Sequence, residues 1–208
     1  MKEFWDQRYN EEGWAYGSEP NEFVKEQLDI IKLECEPTST KLLFPAEGEG
    51  RNAVFAALLG FDVYAFDISH SGKAKAESLA KMHETSISYL VSNFDSLTIE
   101  KESMDGLVFC YTHFPKNLQS LFIEKMITLL KPEGRIIFEC FSENNLPFRQ
   151  SNPNVGGPDN IDMLYTINSV QELFNNCSEL QVQETVVQLN EGKYHVGEGC
   201  VIRMTGRK

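Results

Sequence analysis

The 208-residue sequence predicts an α/β fold: a doubly wound, mainly parallel seven-stranded sheet that finishes in an antiparallel hairpin, with helices on both faces. Three observations predict it. Short apolar runs alternate with helical patterns through residues 41–141 and are joined by brief connections, as in a parallel sheet covered on both sides. Those runs are nearly all apolar, which suits strands buried on both faces. The last quarter then changes character, with two extended stretches, 182–189 and 194–204, flanking the hairpin-type turn Asn190-Glu191-Gly192-Lys193.

The elements follow in order. Residues 22–33 place Phe23, Val24, Leu28, Ile31 and Leu33 at helical spacing after Ser18-Glu19-Pro20-Asn21. Pro37 and Thr38-Ser39-Thr40 break that pattern, and the apolar run 41–45 is the first strand. RNAVFAALL (51–59) is helical in composition and stops at Gly60, a C-cap residue. FDVYAF (61–66) is the second strand, followed at once by Asp67. A helix over 69–83 opens on Ser69 as its cap. Strands follow at 87–91 and 105–111, then a helix at 118–130 and a fifth strand at 134–141, with Pro132-Glu133-Gly134 as the turn before it. Segment 142–162 is polar and punctuated by Pro147, Pro153, Gly156, Gly157 and Pro158. Unstructured loops of that length in compact domains are usually functional or disordered. Because it follows the fifth strand it can close over a ligand, with Phe148 and Arg149 as contacts.

Composition narrows the function. The length suits one domain, 1–208, divided into an N-terminal cover (1–39), a core (40–141) and a substrate-side loop with hairpin (142–208). A net charge of −12 disfavours nucleic acid as the main partner. The polar, acidic start lacks a targeting pattern, and no apolar run reaches the roughly 20 residues of a membrane helix. Cys35, Cys110, Cys140, Cys177 and Cys200 show no zinc-ligand spacing, so no metal is expected; they read as small apolar residues of a reducing, cytoplasmic compartment. Monomer and homodimer are equally open.

The chemistry is concentrated in FPAEGEGRN (44–52). Gly48-x-Gly50-x-x-Ala53 after a strand, with Asp67 at the end of the next, fits a nucleoside-binding turn whose acid holds ribose hydroxyls. Glu47 and Glu49 bear on the ligand. Two like charges ~4 Å apart cost about 4 kcal/mol at an effective dielectric near 20, so a pyrophosphate is disfavoured here. S-adenosylmethionine carries an ammonium and a sulfonium and no phosphate, and acids would attract it. Two solvated loop glutamates are the alternative. Arg51 can pair with Glu47 or Glu49 or bind a cofactor carboxylate; the ion pair is preferred.

Four stretches resemble class I S-adenosylmethionine-dependent methyltransferases, most nearly the tellurite-resistance and thiopurine methyltransferase-like branch, which shares the Rossmann-like sheet. They are WDQRY…YGSEPNEF, LLFPAEGEGRNAVFAALLGFDVYAFDIS, DGLVFCYTHFP and EGKYHVGEGCVIRM. The resemblance implies that Glu47, Gly48 and Gly50 line the methionine portion of S-adenosylmethionine, whose product is S-adenosylhomocysteine. It places Asp67 on the ribose, Ile68 beside the adenine, Asn93 and Phe94 at the adenine edge, and Cys110, Tyr111 and Thr112 beside the methyl group. Trp5, Tyr9, Tyr16 and Gly17 would belong to a cover. The chain departs from the family pattern in having Phe44 and Ala46 where an acid and a glycine are common, and Asn93 in place of a frequent Asp.

Methyl transfer from a sulfonium needs positioning and water exclusion more than elaborate acid–base machinery. His113 and Tyr111, after the fourth strand, are the candidate catalytic residues, with a structural histidine an equal reading for His113. His195 is a candidate for the substrate pocket or a hairpin surface residue. The reading is transfer to a small-molecule acceptor, a thiol or chalcogen oxyanion. An NAD-linked oxidoreductase and a non-catalytic S-adenosylmethionine-binding protein are the alternatives.

Overall fold

A computed structural model describes residues 1–208. Two helices, α1 (Lys2–Tyr9) and α2 (Glu22–Glu34), precede the sheet. The chain then runs β1 (Lys41–Pro45), α3 (Arg51–Leu58), β2 (Asp62–Asp67), α4 (His70–Met82), β3 (Ser88–Val91), β4 (Met104–Cys110), α5 (Lys116–Leu129) and β5 (Leu130–Phe141). It closes with α6 (Leu146–Ser151), α7 (Ile167–Leu173), β6 (Ser178–Glu191) and β7 (His195–Arg207). The strands form one seven-stranded sheet in the order β3-β2-β1-β4-β5-β7-β6; its pairings are parallel from β3 through β5, and β7 alone is reversed, pairing antiparallel with both β5 and β6.

Alternation along the strands divides the core between two faces. Leu43, Leu107, Phe109 and Phe138 pack with Phe122 and Met126 of α5 and Val170 of α7. Leu42, Phe44, Val63 and Val108 point the other way, onto Val24 and Leu28 of α2, Ala53 of α3 and Ala76 of α4. Helix starts follow local chemistry: Asn21 and Ser69 each accept a backbone N–H from the first turn of α2 and α4.

Four segments differ from the sequence expectation. Pro132-Glu133-Gly134 does not end a helix–strand loop. It bulges out of β5, which already begins at Leu130, and the register against β4 jumps between Met104 and Gly106. Segment 142–162 is not structureless: Ser142, Asn152 and Asn160 side chains each accept a backbone N–H and pin short helical turns around α6. The hairpin strands are also longer than their apolar centres, and α7 had no predicted counterpart.

Candidate active site

The strand order reverses between β1 and β4, and a cavity of about 700 Å³ opens at the C-terminal ends of these strands. Ala46 and Glu47 reach it from β1, Asp67 and Ile68 from β2, Asn93 and Phe94 from beyond β3, and Cys110 through His113 from β4. Phe141 of β5 and His195 of β7 close the opposite end, and Trp5, Arg8, Tyr16 and Gly17 cover it from the N-terminal segment. Arg149 lines it as well. Two non-glycine residues in the left-handed region, Ala46 (φ 52°) and Tyr111 (φ 51°), mark the turns after the two central strands.

Gly48 and Gly50 do not line this cavity. A Cβ on Gly48 would lie 2.5 Å from the Tyr9 hydroxyl, and one on Gly50 would lie 2.4 Å from the Ala76 Cβ. These glycines let the turn pack against α1 and α4, both at positive φ. Phe148 is also outside, packed beside Phe141, Val155 and Leu189.

Neither glutamate of the turn is a solvated loop charge. Glu47 Oε1 accepts the Asn52 and Ala53 N–H groups at 2.9 and 2.8 Å, capping α3. Burial pushes its carboxyl up to about 7 despite those hydrogen bonds. Glu49 is buried; its Oε2 accepts from Ala15 N at 2.8 Å, and Lys75 pairs with its Oε1 at 2.9 Å. It therefore fastens the cover segment to the turn. Asp67 accepts from Gly48 N and Ser69 N at 3.1 and 2.9 Å, and burial pushes it up to about 6.

Arg51 pairs with neither turn glutamate but with Glu191 of the hairpin, 3.0 Å away and 140 residues distant in sequence. Its side chain is 8 % exposed, it lines the cavity, and its Nη1 is buried without a hydrogen-bond partner. An orphaned guanidinium donor costs free energy until a ligand oxygen satisfies it. A carboxylate-bearing nucleoside such as S-adenosylmethionine fits this cavity on that ground.

His113 is held at both ring nitrogens: Nδ1 lies 2.8 Å from the Met163 carbonyl, and Nε2 accepts the Phe141 N–H at 3.3 Å. Burial pushes it down to about 4, so it is neutral, and with no free lone pair it cannot serve as the general base. The Tyr111 hydroxyl donates to Glu139 at 2.9 Å, and burial holds it well above the usual phenol range. Burial likewise raises the Cys110 thiol, which leaves it unreactive. Arg8, Phe141, Met163 and Tyr194 line the cavity without any sequence signal, because each becomes a wall only through tertiary packing. Glu191 shares that origin: it belongs to the hairpin turn in sequence and to the site in space.

Residues 45–134 match a family model described as a methyltransferase domain. No curated protein matches the sequence. Among solved structures, one from work on the conversion of a disulfide bond into a thioacetal group during echinomycin biosynthesis aligns with TM-score 0.79 and 14% identity, covering 100% of this chain and 92% of that one. TehB from Haemophilus influenzae aligns at 0.67 and 17% identity, covering 100% and 66%. Magnesium protoporphyrin IX methyltransferase from Synechocystis PCC 6803, with bound SAH, aligns at 0.67 and 12%, covering 100% and 97%. A SAM-dependent methyltransferase from Methanosarcina mazei aligns at 0.63 and 18%, covering 86% and 96%. The chain thus has the fold of S-adenosylmethionine-dependent methyltransferases.

Proposed function

We propose that this protein is a methyltransferase that uses S-adenosylmethionine to methylate a small-molecule acceptor, at a soft atom such as a thiol sulfur or a chalcogen oxyanion. The observation that carries the reading is Arg51 Nη1, a buried cationic donor left unpaired beside a nucleoside-sized cavity. When bound, S-adenosylmethionine supplies an electrophilic methyl group on a sulfonium. Arg51 would take its carboxylate, Glu47 its ammonium, and Asp67 the ribose hydroxyls, with Ile68, Asn93 and Phe94 about the adenine. Tyr16, Tyr111 and Phe141 give the cavity aromatic walls, which attract a cation and exclude water. The NAD-linked alternative is disfavoured because a pyrophosphate would bring its negative charge beside Glu47, which lines the cavity.

Calorimetry with S-adenosylhomocysteine and 5′-methylthioadenosine, which lacks the amino-acid carboxylate, tests this reading. A charged hydrogen bond contributes about 1.5–3 kcal/mol, so the preference for S-adenosylhomocysteine should fall roughly 10- to 100-fold in Arg51→Met. An unchanged preference, or no binding of either nucleoside, would refute the reading.

A further inference from the structure

We propose that His195, oriented by Glu191, is the general base of this site, and that the acceptor therefore presents a protonated nucleophile, a thiol or hydroxyl, rather than an oxyanion. The inference rests on the methyltransferase reading above and revises its acceptor class: it keeps the thiol, drops the chalcogen oxyanion and admits a hydroxyl.

The two cavity histidines differ in one decisive respect. His113 has both nitrogens occupied. His195 Nδ1 lies 3.0 Å from Glu191 Oε2, whereas its Nε2 makes no hydrogen bond in the protein and its ring lines the cavity. A carboxylate at Nδ1 fixes the proton there and leaves the Nε2 lone pair free. Glu191 is itself held, by Arg51 at 3.0 Å and by Asn21 Nδ2 at 3.0 Å, so it has little freedom to turn away. The ring is wedged between Tyr16 and Tyr111, with centroids 4.5 and 4.4 Å away, and meets Phe141 edge-on. Gly156 packs closely beside the ring, where a Cβ would lie 2.6 Å from His195 Cδ2 and 3.2 Å from Nε2 and so would crowd that edge.

Charge supports the role. Glu191 from the hairpin favours the protonated ring, while Arg51 from α3, Arg8 from α1 and above all burial oppose it. The balance lowers His195 below its ordinary value, so it is unprotonated and able to accept a proton at neutral pH. In the reaction, Nε2 takes the acceptor's proton as the acceptor's electron pair forms the new bond to the methyl carbon. The old carbon–sulfur pair stays on the donor's sulfur, and the single positive charge moves from sulfonium to imidazolium.

The test uses the whole protein, tritiated S-adenosylmethionine, and phenol, thiophenol and tellurite as probe acceptors. Two-bond ¹H–¹⁵N spectra should show His195 as the Nδ1-protonated tautomer, and Glu191→Gln should lose that preference. His195→Gln should retain S-adenosylhomocysteine binding but lose phenol methylation by about 10²- to 10⁴-fold, with the loss easing as pH rises. Its phenol-to-thiophenol ratio should fall at least about tenfold, because thiophenol is already largely ionised at neutral pH. An Nε2-protonated tautomer, an unchanged ratio, preferred transfer to tellurite, or transfer to neither phenol nor thiophenol would overturn the proposal. Failure to bind S-adenosylhomocysteine at all would instead overturn the cofactor reading beneath it.

Discussion

Replacing Glu49 with alanine should release the N-terminal cover while leaving the sheet intact. The Glu49 side chain is 3 % exposed and makes two strong contacts, accepting from Ala15 N at 2.8 Å and from Lys75 Nζ at 2.9 Å. The Tyr16 N–H at 3.4 Å adds little at that length. Charged hydrogen bonds contribute about 1.5–3 kcal/mol each, so the gross loss is about 3–6 kcal/mol. Lys75 recovers part of this, because it keeps the carbonyls of Glu11 and Gly13 and is 21 % exposed. Lys193 N also continues to hold the Ala15 carbonyl at 2.8 Å. A local opening easier by about 2–4 kcal/mol remains, which corresponds to roughly 30- to 1,000-fold faster amide exchange. Hydrogen exchange read at Ala15 and Tyr16, against Leu43 and Leu107 in the sheet, measures it. Equal acceleration in the sheet would refute the local role, and unchanged exchange at Ala15 would refute the clasp altogether.

Gly48→Ala must adopt φ 62° and meets Tyr9, so it should cost at least about 1–2 kcal/mol in urea unfolding. Because burial pushes Glu47 up to about 7 from 4.5, the folded state binds its proton more tightly than the unfolded chain, and stability falls as pH rises across that window. Glu47→Gln keeps the oxygen that caps α3 and lacks this slope, so its urea midpoint should gain on the wild type between pH 4.5 and pH 7. Arg203→Met strands Glu139, which is 1 % exposed, and should cost about 3–5 kcal/mol in chemical denaturation. Adding Glu139→Gln should return most of that loss, because the buried charge goes with it.

The parallel half of the fold was written locally. Lys41–Pro45 and the Ser69 cap were readable because apolar runs buried on both faces and a serine before a helix need no distant partner. The sequence marks the hairpin but only its apolar centre, 182–189 and 194–204, whereas the strands run over Ser178–Glu191 and His195–Arg207. On the edge strand β6 most residues outside its centre are exposed and polar, so only backbone pairing with β7 carries it to Ser178. Helix α7 was missed because it is one short stretch set by the reciprocal Thr166–Ser169 cap. In segment 142–162, Asn and Ser side chains bonding to the backbone gave order to residues whose composition suggested a loop.

The site was legible in outline and not in its charge pairing. Asp67 and Cys110 end their strands and Asn93 lies just beyond one, and strand ends can be placed from sequence. The pairing of Arg51 with Glu191, and of Glu191 with His195, depends on the hairpin folding back over β5, which no local pattern specifies. Glycines in a turn such as FPAEGEGRN commonly admit a ligand; here α1 and α4 occupy the space beside Gly48 and Gly50.

Calorimetric titration of the purified protein with S-adenosylmethionine, S-adenosylhomocysteine and NAD tests the account most directly. Saturable binding of the first two without binding of NAD, weakened in Arg51→Met, is the predicted result. Binding of NAD alone would contradict it, since the cavity would then admit a pyrophosphate beside Glu47 and leave Arg51 Nη1 without the carboxylate that the site is proposed to take.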